Sequence, residues 1–466
     1  MSAVSTSDAH ATAEFPRLSK ILESRRELVR LLCDQYKAQL DGRPLWLVSG
    51  SGPTTSYANV YERLIREIGF TRDVKIHSLT KDAETLRALA KETFSKWQKG
   101  DPIPGMIIYV GGQTTGDSTK AFLAYLRKCA KDEGKPEPRP IFGGIITALS
   151  NDGLFSDTAS IFEGGVANSF KATAPNFIVG HLLTLLRQPF EMKASCVGDI
   201  LSKISSLWDY EYSCKTLGTY HNDFAADLAR SAYDRVLGRG DIHVTPPYLH
   251  TRRCLDDLFR AVQLCGLSMQ LAGSSATCSG SEHLGWKWLE DFMSRRRKAM
   301  DKQGKDWKLT HGAGVLIMTI ITLYMQGESR VADRVRQIAS LIHLVEAFNQ
   351  LHIPPTVIQV CLALGVGNRC KNYLAYLLDG SFPPIVGEVE ERLTVLEQVE
   401  LEVLPDTIRR AMIDSELAKE SDFGRLHRDF ADPLMEVLNK AVETKQGRPE
   451  AILYQRNFID RLKALI

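Results

Sequence analysis

The sequence predicts an α/β nucleotide-binding domain followed by an all-α domain. Three observations lead there. From Pro44 to about residue 165, short apolar runs alternate with helical stretches, the pattern of a parallel sheet covered by helices. Glycine-rich turns follow the first and third of these runs. Beyond about residue 165 strand signals nearly vanish and long helical patterns take over.

Residues 1 to about 15 are small and polar and are expected to be mobile. Apolar positions at helical spacing over 16–40, among them Leu18, Ile21, Leu22, Leu28, Leu31, Leu32 and Tyr36, predict an amphipathic helix. Strands are predicted at Leu45–Val48, Val74–Ser78, Met106–Val110 and Pro140–Thr147, with helices at Tyr57–Ile68, Ala83–Gln98 and Asp117–Lys131. Asp132–Pro138 is a charged, proline-containing loop. Later helices are predicted at Val197–Leu217, Asn222–Leu237, His250–Leu267, His283–Met300, His311–Gln326 and Ser329–His343, with Pro354-Pro355 and Pro383-Pro384 as punctuation. The resulting division is an N-terminal extension with an amphipathic helix (1–43), an α/β dinucleotide-binding domain (44–165), an α-helical metal and substrate domain (166–400) and a helical C-terminal extension (401–466).

A chain of 466 residues with 44% hydrophobic and 24% charged residues has ample apolar surface to bury. Its formal net charge of +2 supplies no broad field for nucleic acid or an acidic membrane. The basic run Ser294–Lys298 carries no interleaved aromatics and reads as a solvated helix face. The nine cysteines are scattered and form no Cys-x-x-Cys pair, as expected of reduced thiols in a cytoplasmic protein. The N-terminus lacks a secretory pattern, and the most apolar stretch, Val315–Met325, is too short to span a membrane.

Two loops can cradle phosphates. Ser49–Thr55 contains Gly50 and Gly52; Gly111–Asp117 contains Gly111, Gly112, Gln113, Thr114 and Thr115. Glycines at a strand-to-helix turn let backbone N–H groups approach a pyrophosphate, and the helix N-terminus favours negative charge. A tight turn without a ligand is the competing reading, and the fingerprint Gly-x-Gly-x-x-Gly is absent. In the helical half, three polar stretches interrupt the expected core: Gly198–Lys203 with Asp199, Ser279–His283, and Thr310–Gly312 with His311. One carboxylate and two imidazoles suit a three-ligand site for one divalent metal, zinc first, with iron or nickel also compatible. Histidines at helix starts are more often caps or core residues, so spacing alone leaves both readings open.

Six ordered motifs resemble sn-glycerol-1-phosphate dehydrogenases, within the superfamily of iron-dependent alcohol dehydrogenases and dehydroquinate synthases. They are VGGQTTGDSTK (110–120), ITALSNDGLFSDTAS (146–160), VGDILSKISSLWDY (197–210), SGSEHLGWKWLED (279–291), HGAGVLIMTII (311–321) and RLTVLE (392–397). The resemblance implies a dehydroquinate synthase-like fold and Asp199, His283 and His311 as metal ligands. It puts Gly111–Thr115, Thr147, Ser150 and Ser156 at positions contacting NAD or NADP, and Asp152 at a substrate position, where an Asx-turn is the alternative. Lys203 is a candidate contact for a substrate phosphate.

Three positions depart from the family pattern. Gln113 stands in place of the third glycine of the phosphate loop, where a side chain is expected to crowd the pyrophosphate. Ala313 replaces an acidic residue, and Lys287 stands at a substrate position normally held by histidine. The function expected is a metal-dependent, NAD(P)-linked oxidoreductase acting on a small polyol phosphate or related carbonyl compound. Competing readings are a sugar-phosphate cyclase like dehydroquinate synthase and a dehydrogenase-derived subunit that serves as a partner in a biosynthetic complex. A homo-oligomer is expected, with the terminal extensions as candidate interfaces to a second copy or a pathway partner protein.

Overall fold

A computed structural model describes residue 16, residues 18–368 apart from 41, 51, 72, 164–165, 218–220, 239–241 and 300–308, then 404–443 and 459–466 apart from 461. The polar run 1–15, Pro383-Pro384 and the RLTVLE motif at 392–397 lie outside the described residues. The chain forms two compact units, Met1–Ile200 with Pro247–Ser275, and Leu201–Pro246 with Ala276–Ile466.

The first unit is built on a six-stranded parallel sheet. In chain order its elements are β1 (Leu18–Leu22), α1 (Arg25–Leu40), β2 (Leu45–Ser49), α2 (Pro53–Ile68), β3 (Val74–Ser78), α3 (Ala83–Gln98), β4 (Met106–Gly111), α4 (Gln113–Asp132) and β5 (Ile141–Ile146). A two-stranded antiparallel ribbon, β6 (Thr158–Glu163) and β7 (Val166–Lys171), precedes β8 (Phe177–His181), α5 (Leu182–Leu186) and α6 (Phe190–Leu201). The strand order is β1-β8-β5-β4-β2-β3. Every residue of β2 and β4 is buried, as befits central strands covered on both faces. On one face, Leu28, Leu32 and Tyr36 of α1 pack with Leu45, Leu47, Ile108, Val110 and Val179 of the sheet.

Three expectations need correction. Residues 16–40 are not one helix: Leu18–Leu22 pairs in parallel with Phe177–His181 as the outer strand, and the helix starts at Arg25. Leu18, Ile21 and Leu22 fit a helical stripe as well as a short strand, so periodicity alone could not separate the two. Strands also persist past residue 165, in β7 and β8. The first is polar and lies in a two-stranded ribbon, and the second is only five residues long, so neither has much of a period to read. The predicted helix Val197–Leu217 is interrupted at Ser202, where α6 gives way to α7 (Lys203–Leu217). There the hydroxyls of Ser205 and Ser206 crowd the Ser202 carbonyl at 3.0 and 3.1 Å, a local polar cluster that competes with regular helix.

The second unit is helical throughout its described residues. It contains α7, α8 (Asp223–Leu237), α11 (Ser281–Ala299), α12 (His311–Met325), α13 (Ser329–Leu341), α14 (Leu344–Asn349) and α15 (Pro355–Asn368), with further helices at 404–414 and Arg428–Glu443. The short α9 (Pro246–Leu249) and the long α10 (Arg252–Ala272) lie earlier in the chain, α10 within the first unit. Helix α12 is apolar nearly all round and almost fully buried, so it is a core helix. Helix α11 packs against α7, α12, α15 and Arg428–Glu443. Among the described residues, no helix is long and apolar enough to cross a membrane.

Candidate functional site

In the first unit, the chain leaves β2 toward β3 on one side and later places β4 on the other, so the topological switch falls between β2 and β4. Ligands of open α/β sheets bind beyond the strand ends at such a point. Both glycine loops lie there. Gly52 has φ of 79°, a left-handed conformation that favours glycine, and it precedes Pro53 at the start of α2. Gly111 ends β4; a Cβ there would lie 2.4 Å from Thr115 Oγ1, so only glycine fits. The same hydroxyl would be 3.3 Å from a Cβ at Gly50, which puts the two loops side by side.

Two features of these loops suit a pyrophosphate. Helix α4 begins after Gly112 with no side-chain cap, leaving its first N–H groups to a ligand or water. The Thr54 hydroxyl is buried without a hydrogen-bond partner. Thr114 is exposed at the same helix start. Thr147, just past β5, donates its N–H to the Gly111 carbonyl at 3.1 Å, and the Ser150 carbonyl accepts from Ser195 Oγ at 3.1 Å.

Ser156 does not face the glycine loops through its hydroxyl. It closes the 3-10 turn Asp152–Phe155, donating to the Gly153 carbonyl at 3.0 Å. Four residues hold this turn, and Gln270 Nε2 is one, donating to the Phe155 carbonyl at 2.9 Å. Lys120 Nζ donates to the carbonyls of Gly153 at 2.6 Å and Thr158 at 3.1 Å. Gln113 Oε1 accepts from the Gly153 N–H at 3.0 Å. The Asp152 N–H donates to Asp199 Oδ2 at 2.7 Å, which ties the substrate candidate to the metal-ligand candidate. Asp199 is completely buried in α6, and an unpaired carboxylate there would be costly.

In the second unit, His283 and His311 stand at the starts of α11 and α12, and their ring centroids are 5.4 Å apart. His283 Nδ1 is 2.7 Å from Glu282 Oε1. That carboxylate also accepts from Ser206 Oγ at 2.6 Å, the Gly280 N–H at 2.7 Å and Ser205 Oγ at 2.9 Å. Burial works to raise the Glu282 pKa, but the hydrogen bond and charge of His283, with the bonds from Ser206 and Gly280, outweigh it and hold the carboxyl well below its usual range. An ionised carboxylate can only accept, so His283 donates to it from Nδ1–H, leaving Nε2 as the ring nitrogen not engaged by Glu282. Carboxylate-held histidine of this kind is the usual support of a metal ligand.

Behind Glu282 lies a second buried carboxylate. Asp209 accepts from the Ser281 N–H and hydroxyl and from Gln326 Nε2 at 3.0, 3.1 and 2.7 Å. Burial and then the nearby Glu282 charge push its pKa well up. Lys203 is fully buried at the start of α7, with Nζ 3.3 Å from Ser202 Oγ. Lys287 is partly buried one turn beyond His283 on α11, and Ala313 is buried within α12.

The sequence reading missed Lys120, Asp117, Glu282 and Asp209. Lys120 and Asp117 sit inside the quoted glycine-loop motif and Glu282 beside His283, so their presence was readable. Their roles depend on Gly153, Ser205 and Ser206, which only the fold brings to them.

The fold defines a class first. It matches a probable glycerol dehydrogenase from Sinorhizobium meliloti with a TM-score of 0.56 and 14% identity, over 86% of this chain and 97% of that one. An iron-containing alcohol dehydrogenase from Thermotoga maritima matches with a TM-score of 0.52 and 12% identity, over 87% and 100%. In sequence, the chain is similar to glycerol-1-phosphate dehydrogenases. It is 27% identical to the NAD(P)+ enzyme of Thermococcus kodakarensis over 234 residues, half of this chain and 62% of that protein, less than two thirds of its length. The Pyrococcus furiosus enzyme of the same name is 25% identical over 338 residues, 72% of this chain and 86% of that protein. No family model matches the chain.

Proposed function

We propose that this chain is a metal-dependent, NAD(P)-linked oxidoreductase of the glycerol-1-phosphate dehydrogenase type that acts on the carbonyl of a small polyol phosphate. The observation that carries this reading is the buried Glu282 carboxylate on His283 Nδ1, with His311 beside it at 5.4 Å between ring centroids. A histidine prepared in this way suits a ligand better than a core residue. Asp199, His283 and His311 would hold one divalent ion, since a carboxylate and two imidazoles satisfy such an ion and leave positions for a substrate. The α4 N-terminus with Gly111, Gly112, Thr114 and Thr115, supported by Gly50, Gly52 and Thr147, would receive the dinucleotide. When bound, such an ion would supply stabilisation of negative charge on a substrate oxygen, and a nicotinamide would supply hydride chemistry at the neighbouring carbon. Glu282 keeps His283 in one tautomer. Asp152 orients Asp199 through its N–H, while Lys203 and Lys287 supply positive charge for a substrate phosphate.

Zinc is the ion proposed first, and iron, which gives the T. maritima neighbour its name, competes for the same donors. Described cysteines that are all free suit a cytoplasmic setting. A homo-oligomer is proposed with it, to be read by sizing. The decisive experiment combines metal analysis of the purified protein, NADH and NADPH binding, and turnover with dihydroxyacetone phosphate. Expected are one ion per chain, binding of at least one nicotinamide and measurable turnover, with His283→Ala losing the metal. Stoichiometric metal with no nicotinamide binding would sink the dehydrogenase reading, and full metal content in His283→Ala would sink the ligand set.

A further inference from the structure

Gln113 stands where a glycine would serve the phosphate loop best, and its side chain has a defined task. It opens α4, and its amide reaches over the Asp152–Phe155 turn: Oε1 accepts from the Gly153 N–H at 3.0 Å and Nε2 donates to Asp117 Oδ2 at 3.4 Å. Asp117, buried one turn further along α4, is also 3.3 Å from Lys81 Nζ. The fit over the turn is close, for a Cβ on Gly153 would lie 2.0 Å from Gln113 Nε2. Two turns along the same helix, Lys120 Nζ takes the Gly153 carbonyl at 2.6 Å. Both polar backbone groups of Gly153 are therefore held by α4. The preceding N–H, that of Asp152, is the one that donates to Asp199 Oδ2 at 2.7 Å.

We infer that Gln113 is a positioning residue that ties the Asp152–Phe155 turn to the N-terminus of α4 and, through the Asp152 N–H, sets the orientation of the Asp199 carboxylate. The inference rests on the proposal that Asp199 is a metal ligand. These contacts explain why a side chain is present at 113: it supplies the acceptor for the Gly153 N–H that a glycine lacks. Groups bonded directly to a metal ligand typically change metal affinity about 10- to 100-fold when lost, and Gln113 acts one bond further out, at the lower end of that range.

The test uses Co2+ as the probe on the full chain, with affinity from chelator competition and geometry from the visible absorption spectrum. Gln113→Met fills much the same volume but accepts no such hydrogen bond. It is expected to bind Co2+ about 10-fold more weakly and with an altered spectrum. Wild-type affinity and spectrum in Gln113→Met would overturn the inference. If Gln113→Met does not fold, Gly153→Ala replaces it; that methyl must expel the amide, so equal weakening is expected, and unchanged Co2+ binding refutes the role. Failure of the wild-type chain to bind Co2+ would instead remove the metal reading itself, and this inference with it.

Discussion

Lys120 shows how burial and function meet at a single side chain. Burial, eased by the Asp117 carboxylate, brings its pKa down from 10.5 to about 8. Between about pH 8 and the unfolded value near 10.4, the unfolded chain holds more protons at this position than the folded one. Stability therefore rises with pH across that window, by about 3 kcal/mol in total for this group, and below pH 8 the folded state bears the full penalty of the buried charge. Lys120→Met removes the titration, but it leaves the Gly153 and Thr158 carbonyls without their partner, at a cost of roughly 1–3 kcal/mol each. Denaturant unfolding of the two proteins between pH 7.5 and 10.5 should show the wild type gaining on the variant as pH rises. A constant difference would mean that Lys120 keeps its charge throughout, and the proposed desolvation would be wrong.

At the scale of elements, α11 carries His283 and Lys287, so whatever fixes α11 fixes these two residues of the proposed site. Its contact with α15 is made through glycines: a Cβ on Gly365 would lie 2.4 Å from the Gly285 nitrogen, and one on Gly285 would lie 2.6 Å from Leu362 Cδ1. Gly365→Ala must push the two helices apart, and such overpacking typically costs about 1–3 kcal/mol. The expected outcome is a lower unfolding midpoint together with weaker metal binding, because the start of α11 shifts. Lower stability with unchanged metal affinity would show that the first turn of α11 is held independently of α15. The elements themselves were unevenly legible in the sequence. Helix α3 could be read to the residue because Asp82 caps it, accepting from the Thr85 N–H at 2.8 Å, and its apolar spacing runs to the end. Strand β1 was hidden because leucines four apart suit a helix equally well. The two histidines announced themselves by opening helices, whereas the carboxylate network behind them joins Glu282 to Ser205 and Ser206, more than seventy residues away, a distance no local pattern can bridge. Gln113 was visible as a departure, but its bond to Gly153 depends on a turn forty residues further on.

At the scale of the whole molecule, the proposed metal couples to folding. An ion that binds only the folded chain stabilises it by RT ln(1 + [L]/Kd), about 2.7 kcal/mol at a hundredfold excess over Kd. Spread over units of about two hundred residues, that corresponds to a rise in Tm of roughly 5–10 °C. Asp199 is fully buried, and its carboxylate accepts from the Asp152 N–H. Scanning calorimetry of chelator-treated protein, with and without added Zn2+, should therefore show a midpoint that climbs with the logarithm of Zn2+ concentration. In Asp199→Asn the response to Zn2+ should fall away, because the anionic donor is gone. A metal-free wild type that already matches the zinc-bound midpoint would mean that the ion contributes nothing to folding. A full response to Zn2+ in Asp199→Asn would mean that the carboxylate serves the fold rather than a ligand.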